Sequence, residues 1–173
     1  MIQITFSGRA LENRGSAEEF ISDLKGAINR AAQEAVESES RQLTDRIVSA
    51  YQNQSLPHKK LNPEYLKQKK SQGFDTRIGF KTGSMVRSIR FFKESKTKFF
   101  IGIKRQRRFG RQRTTQQLNI PQYAKLFEFG GRKQAARPVF QPLLTASEGR
   151  YRRALERNIK AAIDDVAGIW GGR

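Results

Sequence analysis

Apolar and polar positions alternate at Ile2, Ile4 and Phe6 against Gln3 and Thr5, which predicts a short half-buried strand. A turn at Asn13-Arg14-Gly15 follows, and Ser16 then stands three residues before Glu19, the spacing of a capping box at a helix start. Phe20, Leu24, Ile28, Ala31 and Ala35 recur at intervals of three and four, and the stripe resumes at Leu43, Ile47 and Tyr51. Six consecutive polar residues, Glu37 to Gln42, separate the two halves. Unbroken, a helix over 16–52 would be about 55 Å long, against about 40 Å across for a globule of this chain length. The pattern therefore allows either one long helix with an end packed on another subunit or a helix pair broken near 38–40.

Residues 53–60, with Pro57 and few apolar positions, predict a linker. Asn62-Pro63 predicts an N-cap followed by proline at the first helical position, opening a lysine-rich helix over 63–72 that ends near Gly73. Thr82-Gly83-Ser84 signals a second start, for a short helix over 85–88. A hairpin of 89–94 and 98–104 follows, turning at Ser95-Lys96-Thr97. Phe91, Phe92, Phe99 and Phe100 put aromatics on both hairpin faces, so both are expected to be covered; stacking of nucleic-acid bases is the alternative use. Residues 104–119 are too polar to bury a core and predict a basic loop or arm. Ile120-Pro121 opens a short helix over 122–129, closed by Gly130. Arg137 to Pro142 predicts an extended, proline-bracketed link. The last helix has Tyr151, Leu155, Ile159, Ala162 and Val166 on one face and Arg150, Arg152, Arg153, Arg157 and Lys160 on the other. Residues 168–173 are expected to fray. Together these elements predict a single α+β domain over 1–173: a small antiparallel sheet with a long N-terminal helix and a C-terminal helix packed on it.

Charge changes the picture. The chain has 173 residues, with 34 Lys+Arg against 16 Asp+Glu and a formal net charge of +18. Residues 1–53 carry eight acidic and six basic side chains, net −2; the remainder carries eight acidic and 28 basic, net +20. This asymmetry points to an anionic partner, nucleic acid or an acidic protein surface. No helix pairs a Lys/Arg face with a Trp/Phe/Leu face, so membrane headgroups are not expected as partners. The densest stretch is the arm, with Lys104, Arg105, Arg107, Arg108, Arg111 and Arg113. It could neutralise several phosphates without reading sequence, or be a solvated loop.

The chemistry a catalyst needs is sparse. The chain has no cysteine and one histidine, His58, which argues against thiolate zinc sites, cysteine nucleophiles and multi-histidine metal centres. Asp164 and Asp165 diverge by about 100° on a helix. Glu128, between two phenylalanines, is a lone carboxylate. No phosphate-cradling Gly-rich lysine loop, metalloprotease helix motif or nucleophile elbow occurs. No apolar run approaches membrane-spanning length and no signal-peptide pattern opens the chain, so a cytoplasmic origin is expected. No enzyme activity, metal or cofactor is expected. A nuclease reading would need metal-dependent cleavage resting on Glu128 or Asp164.

Three motifs in order carry a resemblance: Lys81-Thr82-Gly83-Ser84-Met85-Val86-Arg87-Ser88-Ile89, then Tyr123-Ala124-Lys125-Leu126-Phe127-Glu128-Phe129-Gly130-Gly131, then Arg137-Pro138-Val139-Phe140. With the proline-led helix before them, the hairpin with Ile101-Gly102-Ile103 between and the helix after, they resemble the tail-completion and head–tail joining proteins of tailed bacteriophages. That family includes the Mu-type virion morphogenesis proteins. The family pattern is roughly T-G-x-[LM]-x-x-S-I, Y-A-x-x-x-E-F-G and R-P-F, and matching residues span about 60–165. Two departures stand out: Val139 falls between Pro138 and Phe140, and the basic arm is longer.

The shared positions Thr82, Gly83, Ser88, Ile89, Tyr123, Ala124, Phe127, Glu128, Phe129, Gly130, Arg137 and Pro138 read as fold-makers. Thr82 would cap the short helix, Tyr123 and Phe127 would pack helix on sheet, and Gly130 would stop the helix in a left-handed conformation. The resemblance implies a ring, commonly hexameric, that closes the tail and docks it to the neck. Its partners would be other copies of the chain, neck and tail-tube proteins and, at the arm, DNA in the channel or an acidic neighbour. Assembly would take place in the host cytoplasm and the product would reside in the virion. A non-sequence-specific nucleic-acid-binding basic protein is the alternative from another class.

Overall fold

A computed structural model describes residues 16–55, 58, 60–80, 83–103, 120–132 and 135–171. The fold is α+β: helices α1 (Ala17–Asn53), α2 (Pro63–Ser71) and α3 (Ser84–Arg87), strands β1 (Arg90–Lys93) and β2 (Phe99–Gly102), then helices α4 (Ile120–Phe129) and α5 (Phe140–Gly171). The expected strand over 2–6, the turn at 13–15 and the basic arm at 104–119 lie outside the described residues. The chain divides into two compact units, Met1–Glu39 with Glu148–Arg173, and Ser40–Ser147.

Helix α1 opens on the expected capping box. The Ser16 N–H donates to the Glu19 carboxylate (3.0 Å), and the Glu19 N–H donates to Ser16 Oγ (3.3 Å). Of the two alternatives the periodicity allowed, the structure takes the unbroken helix. The polar run Glu37–Gln42 remains helical, and Glu39 and Ser40 are buried in it. Thr44 Oγ1 donates to the Ser40 carbonyl (2.9 Å), giving its hydroxyl a partner within the same helix.

In the first unit, Phe20 meets Trp170 edge-on, with ring centroids 5.5 Å apart. Val166 completes this buried cluster, and Leu24 and Ala27 pack against it. Frayed residues at 168–173 are thus contradicted as far as Gly171, because α5 runs to that residue. Trp170, inside the stretch expected to fray, is an apolar anchor that holds the last turn in place.

In the second unit, Leu43, Ile47, Ile89 and Val139 are almost fully buried. Gly79, at φ +84°, lies where a Cβ would stand 3.0 Å from the Tyr51 ring, so no side chain fits there without displacing it. Gln54 closes the end of α1: its Oε1 accepts from the Ile78 N–H (2.8 Å) and its Nε2 donates to the Ile78 carbonyl (3.1 Å).

Helix α2 has its expected cap, with Asn62 Oδ1 accepting from the Glu64 N–H (2.8 Å). The cap expected of Thr82 is corrected. Gly83, in the left-handed conformation at φ +69°, holds the N-cap position of α3, and no side-chain hydrogen bond caps that helix; Thr82 lies outside the described residues.

The antiparallel hairpin pairs Phe91 with Ile101 and Phe92 with Phe100. Phe91 stacks on Phe99 at 5.7 Å, and the Arg41 guanidinium lies over the Phe91 ring at 4.6 Å. The opposite face is less enclosed than expected: Phe100 remains 40% exposed.

Candidate functional site

Residues from the second and third of the motifs that carried the resemblance meet where α4 ends and α5 begins. Helix α4 closes as expected, with Gly130 at φ +77° and its N–H donating to the Leu126 carbonyl (2.8 Å). The next orphan carbonyl, that of Phe127, accepts from the Arg137 N–H (2.8 Å). Glu128 returns the interaction. Its Oε2 accepts from the N–H groups of Val139 (2.8 Å) and Phe140 (3.2 Å), and its Oε1 accepts from that of Gln141 (2.9 Å). One buried carboxylate thus satisfies three donors at the start of α5, where the helix dipole also favours negative charge.

This clamp corrects the expected extended link over 137–142. Only residues up to Val139 lie outside a helix, and Phe140, Gln141 and Pro142 form the first turn of α5. Pro142 fits there because a first-turn residue has no helical acceptor for the N–H that proline lacks.

Around the clamp, Phe127 is buried, with Tyr51 and Tyr123 rings 6.2 Å and 5.8 Å away. The Arg137 guanidinium stands over the Phe127 ring at 5.9 Å, and its Nη1 donates to the Ala135 carbonyl (3.4 Å). Burial, reinforced by the Glu128 charge, raises the Tyr51 phenol well above its ordinary value. Burial, followed by the nearby Tyr65 hydroxyl, also raises Tyr123. Both phenols therefore stay neutral at physiological pH. His58 is held below its ordinary value, first by burial and then by the Arg137 charge, with Glu128 acting weakly in the opposite direction.

Of the motif residues, Tyr123, Phe127, Glu128, Gly130 and Arg137 are brought together here, while Ile89 is buried in the same unit. Helix α3, which carries the motif around Gly83, packs against α4. Phe129, one of the shared positions read as fold-makers, is 69% exposed. The six basic arm residues lie outside the described residues. Sequence reasoning missed Tyr51 and His58 as neighbours of the clamp, and no local signal ties either of them to Glu128.

As chemistry, the clamp is a set of structural contacts. Both oxygens of the Glu128 carboxylate are engaged by backbone donors, which leaves it poorly placed as a metal ligand or general base. Among the described residues, no group of three His, Asp or Glu side chains could hold a metal ion, and no helix is long and apolar enough to cross a membrane. No protein-family model matches the chain, and no curated protein or solved structure matches it either.

Proposed function

We propose that this chain is a bacteriophage structural protein of the head–tail junction, of the tail-completion, tail-terminator or neck type. It would form a ring that caps the tail and docks it to the head. The observation that carries this reading is the convergence of Tyr123, Phe127, Glu128 and Arg137, drawn from two separate motifs of the resemblance, on one buried junction. These shared residues build a shape, as the parts of an assembly protein should. The half-exposed aromatic face at Phe100 offers apolar surface for a subunit contact, and the strand edges left unpaired among the described residues would be pairing sites between copies.

In this reading the subunits join through hairpin and helix surfaces, and the finished ring docks to neck and tail-tube proteins by shape and charge. Its place is the virion. Native mass spectrometry of the purified chain tests the first step. A single closed multi-subunit species, six copies by the resemblance, is expected; a monomer at assembly concentrations rejects the reading. Particles made without the protein should show filled heads separated from tails.

A further inference from the structure

Helix α5 carries a row of cations that its own packing leaves unused. Arg150, Arg153, Arg157 and Lys160 follow one another at intervals of three, four and three residues. At about 100° per residue they fall within a sector of about 80°, along about 15 Å of helix. That sector faces away from the side of α5 bearing buried Val166 and half-buried Leu155 and Ala162, and buried Ala154 borders it about 40° round from Arg150. All four cations are exposed, and none forms an ion pair with a carboxylate among the described residues. Glu156 flanks the row and Asp164 continues its sector one turn past Lys160; both are exposed, and among the described residues neither forms an ion pair with it.

We propose that this row binds the phosphodiester backbone of duplex DNA without reading its sequence. Three of the four cations are arginines, whose planar fork suits phosphate oxygens. A carboxylate-bearing protein would satisfy the same fork, but two observations favour DNA. The row contains no aromatic or large aliphatic side chain, the anchors on which protein interfaces concentrate their binding energy, whereas DNA interfaces are polar and strongly cationic. The chain's +18 charge also draws it to a long polyanion, and a duplex presents about one charge per 1.7 Å of axis, so about 15 Å of helix faces several phosphates. The contact does not depend on ring formation, and its failure would leave the proposed ring intact.

The test is fluorescence anisotropy of a labelled mixed-sequence duplex with the full chain across a salt series. Each neutralised phosphate contributes about −0.9 to the slope of log affinity against log salt. Arg150→Gln/Arg153→Gln/Arg157→Gln/Lys160→Gln should flatten the slope by about three to four and weaken binding at least about tenfold at low salt. Lys60→Gln/Lys67→Gln/Lys70→Gln/Lys96→Gln removes the same net charge from exposed positions elsewhere and should change the slope by less than about one. Glutamine is a good helix former, so α5 should persist, as circular dichroism would verify. If the quadruple variant is misfolded, Arg157→Gln alone should flatten the slope by about one. Equal losses in the two quadruple variants, or none in the α5 variant, would overturn the proposal. So would an α5 variant that keeps DNA binding and loses capture by polyglutamate, which would reassign the row to an acidic protein.

Discussion

Glu128 shows how much one side chain can organise. Its replacement by alanine leaves the N–H groups of Val139, Phe140 and Gln141 without their acceptor, in a place where Val139 is fully buried. Glu128→Ala should therefore cost about 2–4 kcal/mol in urea unfolding, and Glu128→Gln, which keeps one acceptor oxygen, distinctly less. His58 gives a second prediction. Its folded pKa lies below the unfolded value, so over the interval between them the unfolded chain binds more protons. Its contribution to stability is present above the unfolded value and is lost as pH falls toward the folded one. The melting temperature should drop as pH falls through the ordinary histidine value of about 6.5, and His58→Asn should remove that part of the drop. At this scale the sequence is legible where partners are close along the chain. Ser16 and Glu19 are three residues apart and announce their box. Glu128 caps donors eleven to thirteen residues away, and no local spacing rule reaches that far.

At the scale of elements, apolar periodicity together with cap and turn signals brought out the described helices and the hairpin, because burial selects apolar positions at the period of the backbone and caps mark the ends; the start of α5 was the exception, found at Phe140 within the expected extended link. Its errors share a cause. The polar run Glu37–Gln42 looked like a break, yet the helix continues and buries Glu39 and Ser40. The segment before Pro142 looked extended because proline usually punctuates, whereas a cap supplied from α4 turned it into a first helical turn. Residues 168–173 were expected to fray, and the contact of Trp170 with Phe20 keeps α5 helical to Gly171 despite the low helix propensity of glycine. Trp170→Ala should lower stability by about 3 kcal/mol in thermal or urea unfolding, where a frayed residue would cost almost nothing. Far-UV circular dichroism should show a matching loss of helix at the end of α5.

For the whole molecule, fold class was readable from the order of elements and charge asymmetry from composition. The division into two units was not, since a stripe of apolar residues records that a face is covered and not which neighbour covers it. The same limit applies to assembly. Exposed Phe100 and the cations of α5 identify surfaces, and their occupants are matters for the mass and binding measurements described above. Salt should separate the two: DNA held through phosphates should release steeply as ionic strength rises, while a ring joined by backbone pairing and apolar contact should keep its mass. The unit built around Phe20 has a further consequence during synthesis. Its halves, 16–39 and 148–171, leave the ribosome with more than a hundred residues between them, so Phe20 waits for Trp170 until translation is nearly over. A prematurely terminated product would carry that ring uncovered, marking it for chaperones or proteases before it could be built into a particle.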